Sequence, residues 1–132
     1  MNKVLLDTNA YTSYLGGDQD ILNVLAGAEI VFMSIFVLGE LYAGFKGGNR
    51  NKENIDILRT FMGKSSVAIL NASHETAEVF GMVKTSLKRA GTPIPINDVW
   101  IASHALETGA VMISHDKKHF TLVPGLRLWY DS

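Results

Sequence analysis

Short apolar runs alternate with helix-length segments along this chain, and that alternation restricts the fold more than any other feature. Val4–Leu6, Ile30–Met33, Val67–Leu70 and Val111–Ser114 read as strands, and Leu126–Tyr130 as a fifth. Between them stand helix signals. Thr8–Leu15 is closed by Gly16 and Gly17, and Asp18 or Asp20 caps a segment around Ile21–Leu25. Ser34 is placed to cap Ile35–Phe45. After the polar stretch Asn49–Asn54, a loop or helix entry, Ile55, Leu58, Phe61 and Met62 recur at helical spacing. Ser73 opens a long helix with Ala77, Phe80, Val83 and Leu87 inward, stopped by Gly91. Pro93 and Pro95 make Thr92–Ile96 extended, and Asn97 is suited to cap Asp98–Glu107, ended by Gly109. Strands alternating with helices predict a three-layer α/β domain over residues 1–132, with a mainly parallel central sheet of about five strands.

The 132 residues suffice for one core and not for two, and an apolar fraction of 47% excludes a disordered chain. No apolar run reaches the length of a membrane span. The start, MNKVLLD, is too short in its apolar part for a signal peptide and reads as a mature cytoplasmic N-terminus. The absence of cysteine excludes disulfides and thiolate metal sites and fits a reducing compartment. A net charge of −1 announces no nucleic-acid binder, but the cations are grouped: Lys46, Arg50 and Lys52; Lys84, Lys88 and Arg89; Lys117 and Lys118. Each group is as well explained by a solvated face as by phosphate contact.

Four acids keep a fixed relation to the apolar runs. Asp7, Glu40, Asp98 and Asp116 each lie near the junction of a strand-like run and the next loop or helix, in LLDTNAY, FVLGELYAG, INDVWIASHA and SHDKKHF. The carboxyl ends of parallel strands share one edge of the sheet, and a crevice forms outside it. Carboxylates from different segments therefore meet there and repel one another unless protons or cations intervene. Hard divalent ions such as Mg²⁺ or Mn²⁺ prefer oxygen ligands and are the natural counter-charge.

Each acid also has a plainer explanation. Asp7 could be a helix N-cap, Asp98 a first-turn acid favoured by the helix dipole, and Asp116 a turn residue. Glu40 is the hardest to explain that way. It is the only charge inside Ile35–Phe45, whose apolar residues run nearly all round the helix, so deep burial or a covering partner is expected. The histidines, His74, His104, His115 and His119, show no zinc-site spacing and read as surface residues, although His115 and His119 flank Asp116 within reach of a substrate phosphate. Ser114 could hold a water or a phosphate, or cap a turn. No dinucleotide fingerprint, P-loop or nucleophile elbow is present.

The ordered set DTNAY, GELYAG, NDVWIASHAL and SHDKKHF resembles the PIN-domain ribonucleases, most closely the VapC-like toxins of toxin–antitoxin modules, over essentially the whole chain. The resemblance implies a PIN-like fold with Asp7, Glu40, Asp98 and Asp116 as catalytic ligands around one or two Mg²⁺ or Mn²⁺ ions. Thr8, Asn9 and Ser114 would support them or contact phosphate; where the family often carries Thr, this chain has Ser114. It further implies a cytoplasmic endoribonuclease that leaves 5′-phosphate and 3′-hydroxyl ends. A cognate antitoxin would silence it with a segment wrapping the groove, its Arg meeting the acids. The apolar helix Ile35–Phe45 adds the expectation of a homodimer.

Two other readings stand beside this one. A haloacid-dehalogenase-like phosphatase also begins with an Asp after its first strand, but wants a second Asp where Asn9 stands. A non-catalytic RNA-binding or interaction module could keep the fold, although the acid set is intact. A receiver domain is excluded because the third run ends in Asn71.

Overall fold

In the computed structural model the described residues are 2–129. Strand β1 (Lys3–Leu6) is followed by helices α1 (Thr8–Leu15) and α2 (Gln19–Gly27), then by β2 (Ile30–Ser34), α3 (Ile35–Lys46) and α4 (Asn51–Met62). Strand β3 (Val67–Leu70), α5 (His74–Ala90), α6 (Ile96–Thr108), β4 (Val111–Ile113) and a 3₁₀ turn (Phe120–Leu122) complete the order. The strands form one sheet in the order β3-β2-β1-β4, and every pairing is parallel. Val4, Leu5 and Leu6 are fully buried, the pattern of a central strand covered on both faces. Since all strands run the same way, Asp7, Ser34 and Ser114 emerge at one edge of the sheet.

The caps explain most boundaries. Asp7 accepts from the Ala10 N–H to start α1, and Asp18 does the same for Ile21 in α2. Ser34 caps α3 through the Phe36 N–H. Ser73 and Thr76 form a reciprocal capping box at α5. Gly91 and Gly109 end α5 and α6 in the left-handed conformation, at φ 70° and 72°, where a side chain would be strained.

Five expectations are corrected. First, the sheet has four strands among the described residues. Leu126–Tyr130 contributes one parallel bridge, Leu128 to Met112, with the Met112 N–H donating to Arg127 O and the Trp129 N–H to Met112 O. Of this run only Leu128 is bridged among the described residues; Tyr130 lies outside them. Second, α6 starts at Ile96 with Pro95 at its N-cap, so Asn97 lies inside the helix and caps nothing. Proline's fixed φ shapes that entry without a side-chain bond.

Third, α3 is not buried all round. Val37, Leu38 and Leu41 are buried, whereas Ile35 is 39% exposed and Gly39, Ala43 and Gly44 line an open face. Phe36 stacks on Trp100, which stacks in turn on Phe80. Glu40 is exposed, so its charge needs no buried counter-ion. Fourth, Ala77 faces outward; Thr76, Val83 and Leu87 are the buried residues of α5. Thr76 takes the inward place because its hydroxyl donates to Glu107 at 2.7 Å. Fifth, His104 is not a surface histidine. It is 1% exposed, with Nδ1 2.8 Å from Ser34 Oγ and Nε2 3.3 Å from Asn71 O.

Candidate active site

The four acids come from four different segments and meet at the carboxyl edge of the sheet. Asp7 follows β1, Glu40 lies on α3, Asp98 in the first turn of α6, and Asp116 in the loop after β4. Together with Thr8, Asn9, Ile101, His119 and Phe120 they line one cavity of about 210 Å³. Among the described residues, no lysine or arginine is part of that lining.

Asp7 is the most firmly held of the four. It is 6% exposed; Oδ1 accepts from the Ala10 N–H at 2.7 Å and Oδ2 from Ser114 Oγ at 2.5 Å. The N-cap explanation of Asp7 is therefore correct and leaves its place in the cavity intact, since one oxygen caps α1 while the other faces Ser114. Ser114 is itself fully buried and also lies 2.9 Å from the Asp116 carbonyl. That burial directs its hydroxyl at Asp7. Thr8 Oγ1 donates to Glu40 Oε1 at 2.5 Å, and Asn9 is exposed at the rim. Asp98 Oδ2 faces His119 Nδ1 at 2.9 Å. Asp116 is exposed and accepts a long bond, 3.4 Å, from the Lys118 N–H.

The electrostatics follow from burial and crowding. Burial pushes the Asp7 carboxyl above its ordinary range, and the charges of Asp98 and Asp116 push the same way; the bonds from Ser114 and Ala10 work against them. Asp98 is likewise raised, first by burial and then by Glu40 and Asp116, against the opposing bond from His119. Both carboxylates lack enough positive charge.

Among the described residues, no three acidic or imidazole groups converge closely enough to enclose an ion as they stand. Each carboxylate is turned toward its own donor: Ser114, Thr8, His119 or the Lys118 N–H. The donor set nonetheless suits a hard divalent cation. It is all oxygen, it is negative, and it is partly desolvated.

Sequence reasoning read His119 as a surface residue flanking Asp116, with contact to a substrate phosphate as the alternative; the structure places it in the cavity lining, bonded to Asp98. A usable signal was its spacing, three residues beyond Asp116 at the entry of a one-turn helix, which returns its side chain toward the same opening.

Comparison with known proteins agrees with this architecture. The PIN domain family model matches residues 4–126. Ribonuclease VapC2 of Rickettsia felis is 30% identical over 128 residues, covering 94% of each chain. Ribonuclease VapC2 of Haemophilus influenzae is 30% identical over 131 residues, covering 96% of each. Among solved structures, VapBC2 from Rickettsia felis bound to a DNA fragment from its promoter superposes with a TM-score of 0.85 at 27% identity, covering 98% of this chain and 99% of that one. An acid set gathered in one cavity at the carboxyl edge of a parallel sheet, a family match over nearly the full length and these relatives point the same way: the chain belongs to the PIN-domain family, among the VapC ribonucleases.

Proposed function

We propose that this chain is a cytoplasmic, divalent-metal-dependent endoribonuclease, the toxin of a toxin–antitoxin pair, that hydrolyses RNA in the cavity of Asp7, Glu40, Asp98 and Asp116. One observation carries the reading: four carboxylates from four segments share a cavity whose lining, among the described residues, holds no lysine or arginine. A bound Mg²⁺ or Mn²⁺ would lower the pKa of a water and offset charge gathering on the scissile phosphate. The four carboxylates are the residues that would hold it.

The chain's own groups divide the remaining work. Asp7, clamped by Ala10 and Ser114, is the fixed reference point of the site. Glu40 and Asp116 are exposed and adjust as substrate enters. Thr8 steadies Glu40. RNA reaches the cavity past α5. There Lys84 and Lys88 flank a groove of about 230 Å³ with Pro93, Ile94 and Val99, the last adjacent to Asp98, and neither lysine has an ion-pair partner among the described residues. The Lys46–Lys52 group is weaker, because Arg50 is already paired with Glu53.

An antitoxin segment silences the enzyme by placing a basic side chain, an arginine by preference, against the acids, since its fork fits carboxylates. The open face of α3 is the surface offered to a second copy in a homodimer. Purified protein incubated with RNA, with and without EDTA, tests the central claim. Cleavage should require the divalent ion and yield 5′-phosphate ends; cleavage that persists in EDTA would refute it. Light scattering at high micromolar concentration tests the dimer.

A further inference from the structure

The cavity holds one residue that no reading of the acids requires. His119 stands at the entry of the 3₁₀ turn Phe120–Leu122, on a different segment from the helix that carries Asp98, and its Nδ1 meets Asp98 Oδ2 at 2.9 Å. Its backbone is well fixed. The Leu122 N–H donates to His119 O at 3.1 Å, the Thr121 N–H to Lys117 O at 3.0 Å, and Phe120 beside it is 4% exposed.

Three of the four acids have a side-chain donor: Ser114 for Asp7, Thr8 for Glu40, His119 for Asp98. A carboxylate with one oxygen held by a protein donor presents the other in a set direction, and outer partners of this kind orient metal ligands. We infer that His119 is a positioning residue that holds Oδ2 of Asp98, leaves Oδ1 for the divalent ion, and fixes the first turn of α6 against the loop carrying Asp116. An ionised carboxylate only accepts, so opposite Asp98 the Nδ1 side acts as the donor, and Nε2 has no partner among the described residues. The contact that matters is therefore the Nδ1 side of the ring. This inference rests on the metal-dependent reading of the cavity.

The two ring nitrogens can be imitated separately. Asn places an N–H near the position of Nδ1, Gln places one near Nε2, and Leu retains bulk with neither. Mn²⁺ uptake by the His119→Asn, His119→Gln and His119→Leu proteins, measured by calorimetry without RNA, reads the role independently of turnover. Leu and Gln should weaken Mn²⁺ binding by about 10–100-fold, and Asn should restore it to within about threefold of wild type. A purely structural role would instead track side-chain volume and put Leu closest to wild type. His119→Leu binding Mn²⁺ as well as wild type, or Gln restoring binding where Asn does not, overturns the inference and leaves the site reading standing. A wild type that takes up no Mn²⁺ with or without RNA, yet cleaves, overturns both.

Discussion

Two polar clusters in this molecule are built from the same parts, a serine hydroxyl and a histidine, and behave in opposite ways. In the core, Ser34, His104 and the Asn71 carbonyl close on one another, with Ser34 Oγ also accepting the Phe36 N–H. At the carboxyl edge, Ser114 and His119 face Asp7 and Asp98, with Glu40 and Asp116 nearby. Burial disfavours charge in both. It pushes His104 below its ordinary value and holds it neutral, with donors and acceptors matched. It pushes Asp7 and Asp98 up without removing the excess of acceptors over donors. The closed cluster has its donors and acceptors matched; the open one keeps an excess of negative charge.

The largest expected effect separates the clusters by function. Asp98→Asn should lower kcat for RNA cleavage at least about 100-fold, the scale of losing one charge-stabilising group. The melting temperature should hold or rise, since a repelling carboxylate is gone. Wild-type turnover with a lower melting temperature would make Asp98 a structural residue and erase the contrast. His104→Leu should do the reverse. Leaving the buried Ser34 hydroxyl without its acceptor should cost about 1–3 kcal/mol in denaturant unfolding, with cleavage per folded molecule unchanged.

The contrast sharpens with pH. A histidine depressed in the folded state contributes stability that is fully present above its unfolded value, ~6.5, and is lost as pH falls below it. The raised carboxyls of Asp7 and Asp98 have the opposite sign in the metal-free protein. Their folded form binds protons more readily than the unfolded chain, so stability is lost as pH rises through their folded values. Unfolding curves of wild type, His104→Leu and Asp98→Asn across pH 4–8 should resolve the two trends. His104→Leu should remove the decline below ~6.5 and leave the other. Identical profiles for all three proteins would show that neither cluster titrates as described.

Metal should then offset the acid repulsion selectively. Mn²⁺ or Mg²⁺ at about 100 times its dissociation constant should stabilise the wild type by roughly 2.7 kcal/mol, and Glu40→Gln should blunt that gain while His104→Leu keeps it. A melting temperature indifferent to both ions would argue against a site formed before RNA arrives. The smallest effect belongs to the groove on α5. Lys84→Glu with Lys88→Glu should weaken RNA binding and reduce its salt dependence by about two phosphate contacts, without changing Mn²⁺ affinity. An unchanged salt slope would place the RNA path elsewhere.

The open cluster was more legible in the sequence than the closed one, for a physical reason. Strand ends in a parallel sheet share an edge, so Asp7 and Asp116 could be brought together from the apolar runs alone, and Glu40 and Asp98 followed from their places in the next helices. The core cluster has no such rule: His104 meets Ser34 across 70 residues of sequence, and only packing decides which face of α6 turns inward. The same limit hid His119, whose partner Asp98 is 21 residues away. The all-round apolarity of α3 misled because a helical pattern counts side chains, and Gly39 and Gly44 leave an open face where the pattern implied cover. The fifth strand failed because a single bridged residue at Leu128 is a tertiary accident of Met112, invisible to local periodicity.

The strand order β3-β2-β1-β4 also sets a timetable. β1 is made first but sits between β2 and β4, and β4 is the last strand to be synthesised. Asp7 leaves the ribosome early, yet its clamp Ser114 follows 107 residues later. At about 5–20 residues per second, translating the stretch from Glu40 to Asp116 takes on the order of 4–15 s. Throughout that interval the nascent chain carries some of its carboxylates without the complete cavity that gathers all four. A chain truncated anywhere before Asp116 lacks one of the four acids, so under the proposed function it should cleave no RNA.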